Sequence, residues 1–238
     1  MVLSILSILA TLCIGAVSKI RISSSLAVSA NNIRQLAAGG ASYLADHNNT
    51  FWKYYDLNRI NGRGITWWFG FEDSSSRSRP EGERAFDASK GPLANYLPKS
   101  LVPDPSLAMC GNAFKPKYKR GYIGAGYNTL LGGGWVGRGA LKNRFQLSDP
   151  GKVVVFFTSA QVNTFQSPAS PSNPMLEEFY GIDEKEVTVH FRHGGKAMVA
   201  FATGNVDFLP MDESTRDTRY PKANVGRFAP SGSTEYLE

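Results

Sequence analysis

MVLSILSILATLCIGAVSKIRISSSLAVSANNIRQLAAGGASYLAD, residues 1–46, is the stretch on which the reading of the whole chain turns. Its first eighteen residues carry no charge, and Lys19 and Arg21 follow at once. That length is the lower edge of what crosses a ~30 Å hydrocarbon core as a helix. Cations just past the end can reach headgroups with their aliphatic stems buried. Beyond Arg21 the pattern stays helical but becomes two-sided. Ile22, Leu26, Ile33, Leu36, Ala37, Tyr43 and Leu44 form the apolar stripe, and Asn31, Asn32, Arg34, Gln35 and Asp46 fall off it. Gly39-Gly40 weakens a helix by ~1 kcal/mol per glycine and allows a bend or close packing. Asn48-Asn49 ends it. The expectation is one helix from about residue 2 to 46, ~68 Å long at 1.5 Å per residue. Residues 1–20 form a transmembrane or filament-core half, and residues 21–49 an amphipathic half.

The competing reading of this stretch is a cleavable secretory signal, with Val28-Ser29-Ala30 as the small-residue cut site. A signal peptide carries its positive charge before the apolar run, whereas here the charge comes after it. We therefore take the anchor as uncleaved.

The totals bound the rest. A chain of 238 residues, 42% hydrophobic and 19% charged, holds one medium domain with appendages and is foldable. The net charge of +6 is scattered and forms no nucleic-acid-reading stripe. Only Lys115-Pro116-Lys117-Tyr118-Lys119-Arg120 is dense, read as a solvated loop or a polyanion or lipid-headgroup contact. The two cysteines, Cys13 and Cys110, fall in the apolar run and the polar body. They make no disulfide framework or zinc spacing.

From Phe51 the composition turns toward strands. Ile65 to Phe71 reads as one buried strand, Glu72 to Arg84 as a mobile loop, and Pro92 to Leu97 as a short helical turn. Lys152–Thr158, Val187–Arg192, Lys196–Ala202 and Asn205–Leu209 read as strands, the last two joined by a tight turn at Thr203-Gly204. This sets a β-rich head over residues 50–211. Residues 212–238 read as a flexible tail.

Several pieces, in this order, resemble bacterial pseudopilin-like proteins with a prepilin-type N-terminus and a C-terminal H-x9-DG motif. The apolar run is similar to that family's long helix, entered partway. NNIRQL (31–36) and YLADHNN (43–49) resemble its NNLRQL…YADDNN continuation. Cys110 and the stretch Tyr122 to Leu131 resemble its C-P-S…YGYN-YL-G region. DPGKVVVF (149–156) is similar to DPSKTVLF. HGG (193–195) through AFATGNVDFL (200–209) resembles HxGGANVLFADGHVKFL. Two departures stand out. The family's basic leader, glycine cut site and Phe-Thr-Leu-Ile-Glu do not precede the apolar run, and a start lying upstream is expected. Thr203 stands where the motif has aspartate. Threonine does not suit a type I′ position, so the turn is expected to shift to Gly204-Asn205.

The resemblance implies an α+β, type IV pilin-like fold: a long N-terminal helix packed on an antiparallel β-sheet head. It implies a non-enzymatic subunit of a type II secretion pseudopilus or type IV pilus-like filament. Such a subunit has a single-pass anchor in the bacterial inner membrane and an extracytoplasmic head. Its partners would be inner-membrane lipid, other pilin-like subunits and the secretion or pilus assembly machinery, without nucleic acid. The motif or interface residues would be His193, Gly194, Gly195, Thr203, Gly204, Asn205 and Asp207. Leu3, Leu6, Leu9, Leu12, Ile14 and Val17 would pack the filament core.

No catalytic signature rises above background, and no cofactor or metal is expected. His190 and His193, three apart in an extended chain, should face opposite ways, which argues against a shared metal. His193 is expected to fix its hairpin by bonding loop backbone. Asp149-Pro150 reads as a turn-initiating pair, and Trp67, Trp68, Tyr122 and Trp135 as core or interface residues. Two other classes remain: a secreted carbohydrate-binding module released after Ala30, and a hydrolase using His193 with Asp207 or Asp149.

Overall fold

The computed structural model describes residues 2–58, 64–98, 101–109, 113–120 and 123–238, with the side chains of residues 2–16, 18 and 108 outside the description. Helix α1 runs from Val2 to Asp46. The chain then forms β1 (Tyr55–Asn58), β2 (Gly64–Trp67), β3 (Gly70–Asp73), α2 (Ser74–Arg77), α3 (Pro105–Ala108), β4 (Phe114–Lys115) and β5 (Ala125–Asn128). β6 (Val154–Thr158), β7 (Gln161–Asn163), β8 (Met175–Glu177), β9 (Gly181–Ile182), β10 (Val189–His190), β11 (Lys196–Phe201), β12 (Val206–Pro210) and β13 (Val225–Gly226) complete it.

The centre is a five-stranded sheet in the order β12-β11-β6-β5-β9. Four strands pair antiparallel, but β9 joins β5 in parallel, so the sheet is mixed and not purely antiparallel. All five residues of β6, Val-Val-Phe-Phe-Thr, are buried. A strand covered on both faces reads as a continuous apolar run, which is why this segment shows no polar alternation. On one face Phe156, Met198 and Ala200 meet Ile33, Leu36 and Leu44 of α1 together with Trp52 and Trp68. On the other, Val154, Phe157 and Val199 meet Phe191, Phe228 and Leu237.

That second face corrects the expected tail. Residues 212–238 pack into the head: Val154 N–H donates to the Tyr236 carbonyl at 2.8 Å, and Asn128 Nδ2 to the Leu237 carbonyl at 2.8 Å. The Arg227 side chain, 2% exposed, donates to the Asp183 and Glu186 carbonyls. Without this segment the rear of β6 and β11 would face water.

Two further readings change. Ile65 to Phe71 is a hairpin and not one strand: β2 and β3 pair antiparallel, and Trp68-Phe69 forms the turn. Both turn residues are buried, and Trp68 Nε1 donates to the Tyr180 carbonyl at 2.9 Å. A turn of aromatics escapes polarity-based reading because it points into the core. The Glu72–Arg84 segment is clamped at its ends. The fully buried Glu72 carboxylate takes two 2.7 Å bonds from Arg84 and a third from the Tyr118 hydroxyl at 3.1 Å.

Helix α1 meets the head along Ser25, Ser29, Asn32, Ile33, Leu36, Ala37, Gly39, Gly40 and Leu44, all buried. The spacing follows one helical face, but its lower third is polar and not the expected Ile22 and Leu26, which are 60% and 37% exposed. Gly39-Gly40 serves close packing. A Cβ on Gly39 would lie 2.9 Å from the Tyr96 carbonyl oxygen, and one on Gly40 would lie 3.0 Å from Trp52. Gly39→Val should lower stability by about 1–3 kcal/mol through overpacking, despite any gain in helix propensity. Urea denaturation of the variant beside the parent measures it.

Candidate functional site

The motif residues gather around two turns. His193 N–H donates to the Lys196 carbonyl at 3.1 Å and Lys196 N–H returns a bond at 3.2 Å. Between them Gly194 and Gly195 have φ of 63° and 78°. Two positive φ angles in a two-residue loop make a type I′ hairpin. The tight turn expected at Thr203-Gly204 therefore lies at Gly194-Gly195 instead.

β11 and β12 are joined differently. Gly204 N–H donates to the Phe201 carbonyl at 2.8 Å, and Phe201 N–H to the Asn205 carbonyl at 2.9 Å. Gly204 has φ 91° while Thr203 is not among the positive-φ residues. This is a type I turn followed by a glycine bulge, the usual three-residue hairpin. Thr203 thus avoids the left-handed region, which removes the conflict that its β-branch posed. Thr203, Gly204 and Asn205 form an exposed tip, and the Thr203 hydroxyl bonds Asn205 Oδ1.

At the other end of this hairpin lies an open cleft of about 720 Å³. Ile22, Ser25 and Leu26 of α1 form one wall, and Met109, Phe208 and His193 contribute to the others. Asp207, exposed on β12, also lines it, and its carboxylate accepts the N–H of Phe208 at 2.7 Å. His190 and His193 both face this cleft, contrary to the opposite-face expectation. β10 ends at His190 and the chain turns at Arg192, so strand alternation does not extend to His193.

Behind the cleft is a buried polar knot that the sequence reading missed. Arg192 Nη2 donates to Asp104 Oδ2 at 2.6 Å, with side chains 4% and 1% exposed. Ser29 Oγ of α1 donates to the same carboxylate at 2.7 Å, and Ser106 N–H to its other oxygen at 2.8 Å. Arg192 also donates to the Gly124 carbonyl at 2.7 Å and to Ser106 Oγ at 2.8 Å. Burial alone would raise the Asp104 carboxyl, but Arg192 and the hydroxyl donors hold it below its ordinary range. The one local signal was Pro103-Asp104-Pro105-Ser106, an N-cap residue followed by proline at the first helical position.

The knot fixes the histidines. Arg192 Nη1 lies 3.2 Å from His190 Nδ1, and an arginine can only donate, so that nitrogen is the acceptor. Nε2 then carries the proton and bonds the Ala223 backbone. Burial first, and the Arg192 charge second, push His190 well below its ordinary value. The same causes push His193 down to about 4. Among the described residues the buried Nε2 of His193 has no hydrogen-bond partner, so that nitrogen does not bond loop backbone as expected. Among the described residues no carboxylate hydrogen-bonds its ring, neither Asp207 nor Asp149, whose side chain accepts from Gly151 N–H at 3.1 Å. Nor does any group of three metal-ligating side chains occur among them.

Leu3, Leu6, Leu9, Leu12 and Ile14 carry side chains outside the described residues, as does Cys13, and Cys110 and Tyr122 lie outside them altogether. Val17 is described and is 48% exposed. Among the described residues, no helix is long and apolar enough to cross a membrane. No family model, curated protein or solved structure matches the chain.

Two outcomes follow from the knot. Asp104→Ala should cost about 3–5 kcal/mol by leaving Arg192 buried and unpaired, and Asp104→Leu combined with Arg192→Met should recover much of it. Denaturation of the single and double variants compares them. Because the folded His193 titrates near 4 against an ordinary 6.5, protons favour the unfolded chain between those values. The stability this gives at neutral pH is lost as pH falls from 6.5 toward 4. His193→Gln should show a shallower loss between pH 7 and pH 5 when both are unfolded in urea.

Proposed function

We propose that this chain is a non-enzymatic, pilin-like subunit that assembles with copies or relatives of itself through its N-terminal helix. The observation that carries the reading is where the head stops covering α1. The buried face of the helix runs down to Ser25, and its continuation, Ile22, is 60% exposed, while Ile20 at 66% and Val17 at 48% leave apolar surface on the helix's other sides. Across the cleft, Met109 and Phe208 are 52% and 38% exposed. An apolar surface of this kind, continuous from helix to head, marks a site for another macromolecule. A second helix laid against it would bury it.

The polar knot also supports an uncleaved helix. Cutting after Ala30 would remove Ser25 and Ser29, both buried, and strip Asp104 of one of its donors. A released module would then expose a face built to be covered. The reading extends to a single-pass anchor in the inner membrane, with neighbouring subunits and the assembly machinery of a secretion pseudopilus or pilus-like fibre as partners. The drive between helices inside a bilayer is packing, since lipid tails are as apolar as leucine.

Wild-type protein extracted from membranes in mild detergent should run as a large assembly on size-exclusion chromatography. Ile20→Asp with Ile22→Asp should disperse it while leaving head stability within about 0.5 kcal/mol, as expected for exposed positions. An unchanged assembly in the double variant, or a mature N-terminus at Asn31, sinks the proposal.

A further inference from the structure

The dense basic run Lys115–Arg120 is divided by the fold in a way that points to a ligand. Lys115 pairs with Glu81, and Lys117 with Glu177 at 3.2 Å. Tyr118 is buried. Lys119 and Arg120 are exposed, with no ion-pair partner among the described residues. Both line a cavity of about 780 Å³ between the loops that follow β3 and β4. That is the size of a small-molecule site.

Its walls have two characters. Phe69, Leu93 and Ile123, all buried, back it, and the half-buried Phe86, Leu97 and Leu101 give it an apolar surface. The near wall is cationic because Lys119 N–H donates to the Arg84 carbonyl at 2.9 Å, which sets residue 84 beside residues 119 and 120. Arg84 itself is neutralised by Glu72. The acid on the lining, Asp87, is bound to Lys90 at 3.2 Å and caps Ser89 N–H at 3.0 Å. Among the described residues, the two lining cations without an ion-pair partner are therefore Lys119 and Arg120, at the edge of an aromatic and aliphatic hollow. Exposed cations beside apolar surface favour one chemistry: an anionic head with an apolar tail.

We propose that this cavity binds a single-chain amphiphilic anion of the fatty-carboxylate class, with the tail over Phe86 and Leu97 and the head at Lys119 and Arg120. The site is separate from the helix surface that carries the assembly reading and does not depend on it.

A diazirine-bearing fatty acid, photoactivated on the full-length protein and mapped by peptide mass spectrometry, tests it. Label is expected on residues 84–98 or 118–120, and dodecanoate should compete it away at least tenfold better than dodecyltrimethylammonium. Ala94→Trp, which fills the cavity, should reduce this label at least tenfold. Lys119→Glu with Arg120→Glu, both exposed and so not needed for folding, should abolish the preference for the anion. Label confined to the N-terminal helix means bulk partitioning and overturns the proposal. So does equal competition by the cationic amphiphile, or label unchanged in the tryptophan variant.

Discussion

A carboxylate taken out of water must be satisfied entirely by its surroundings, and in this protein that requirement ties three distant segments together. Asp104 is 3% exposed and is held by Ser29 from α1, by Ser106 at the start of α3, and by Arg192 just before the motif turn. None of these contacts can be given up singly without leaving a buried charge short of partners. The helix is thus registered against the head by a charge, and the motif turn is registered against both. The states of the two histidines follow from burial first and then from this same knot, since the Arg192 charge beside them opposes a second positive charge.

The apolar layers then fill the space that this registration leaves. β6 and β11 send side chains to two cores, one capped by α1 and one by the C-terminal segment. Close approach of α1 depends on two glycines that no side chain could replace without moving Tyr96 or Trp52. An α+β fold with a long N-terminal helix is the result.

The parts legible in the sequence are those whose signal is local and periodic. The span of α1, the apolar run of β6 and the β11–β12 hairpin all carry their pattern within a few residues. The illegible parts depend on partners far along the chain. Asp104 and Arg192 are 88 residues apart, and nothing near either announces the other. Trp68-Phe69 is a turn by geometry but core by chemistry, so a polarity rule reads straight through it. The C-terminal segment looks like loop because its residues serve singly: Phe228 and Leu237 plug a sheet face, and Arg227 gathers carbonyls. Of the candidate site, the positions of the motif turns could be read, but the tight two-residue geometry expected at Thr203-Gly204 falls elsewhere. The pair of glycines took the two-residue loop, and Thr203-Gly204 took the bulged one. The apolar helical stripe holds from Ile33 to Leu44, yet below it Ser25, Ser29 and Asn32 take the place of Leu26, because the head offers oxygen to Ser29 and Asn32 and the Met109 sulfur to Ser25.

That change of character along one helix face has a thermal consequence. The upper seam, Ile33, Leu36 and Leu44 against Phe156 and Trp52, is held by apolar burial, which weakens as temperature falls. The lower seam, where Ser29 meets Asp104 and Asn32 Nδ2 meets the Val102 carbonyl at 2.7 Å, is held by directed polar bonds that do not share this cold sensitivity. Chilling therefore slackens the contact from the top downward, with the serine end as the last point of attachment.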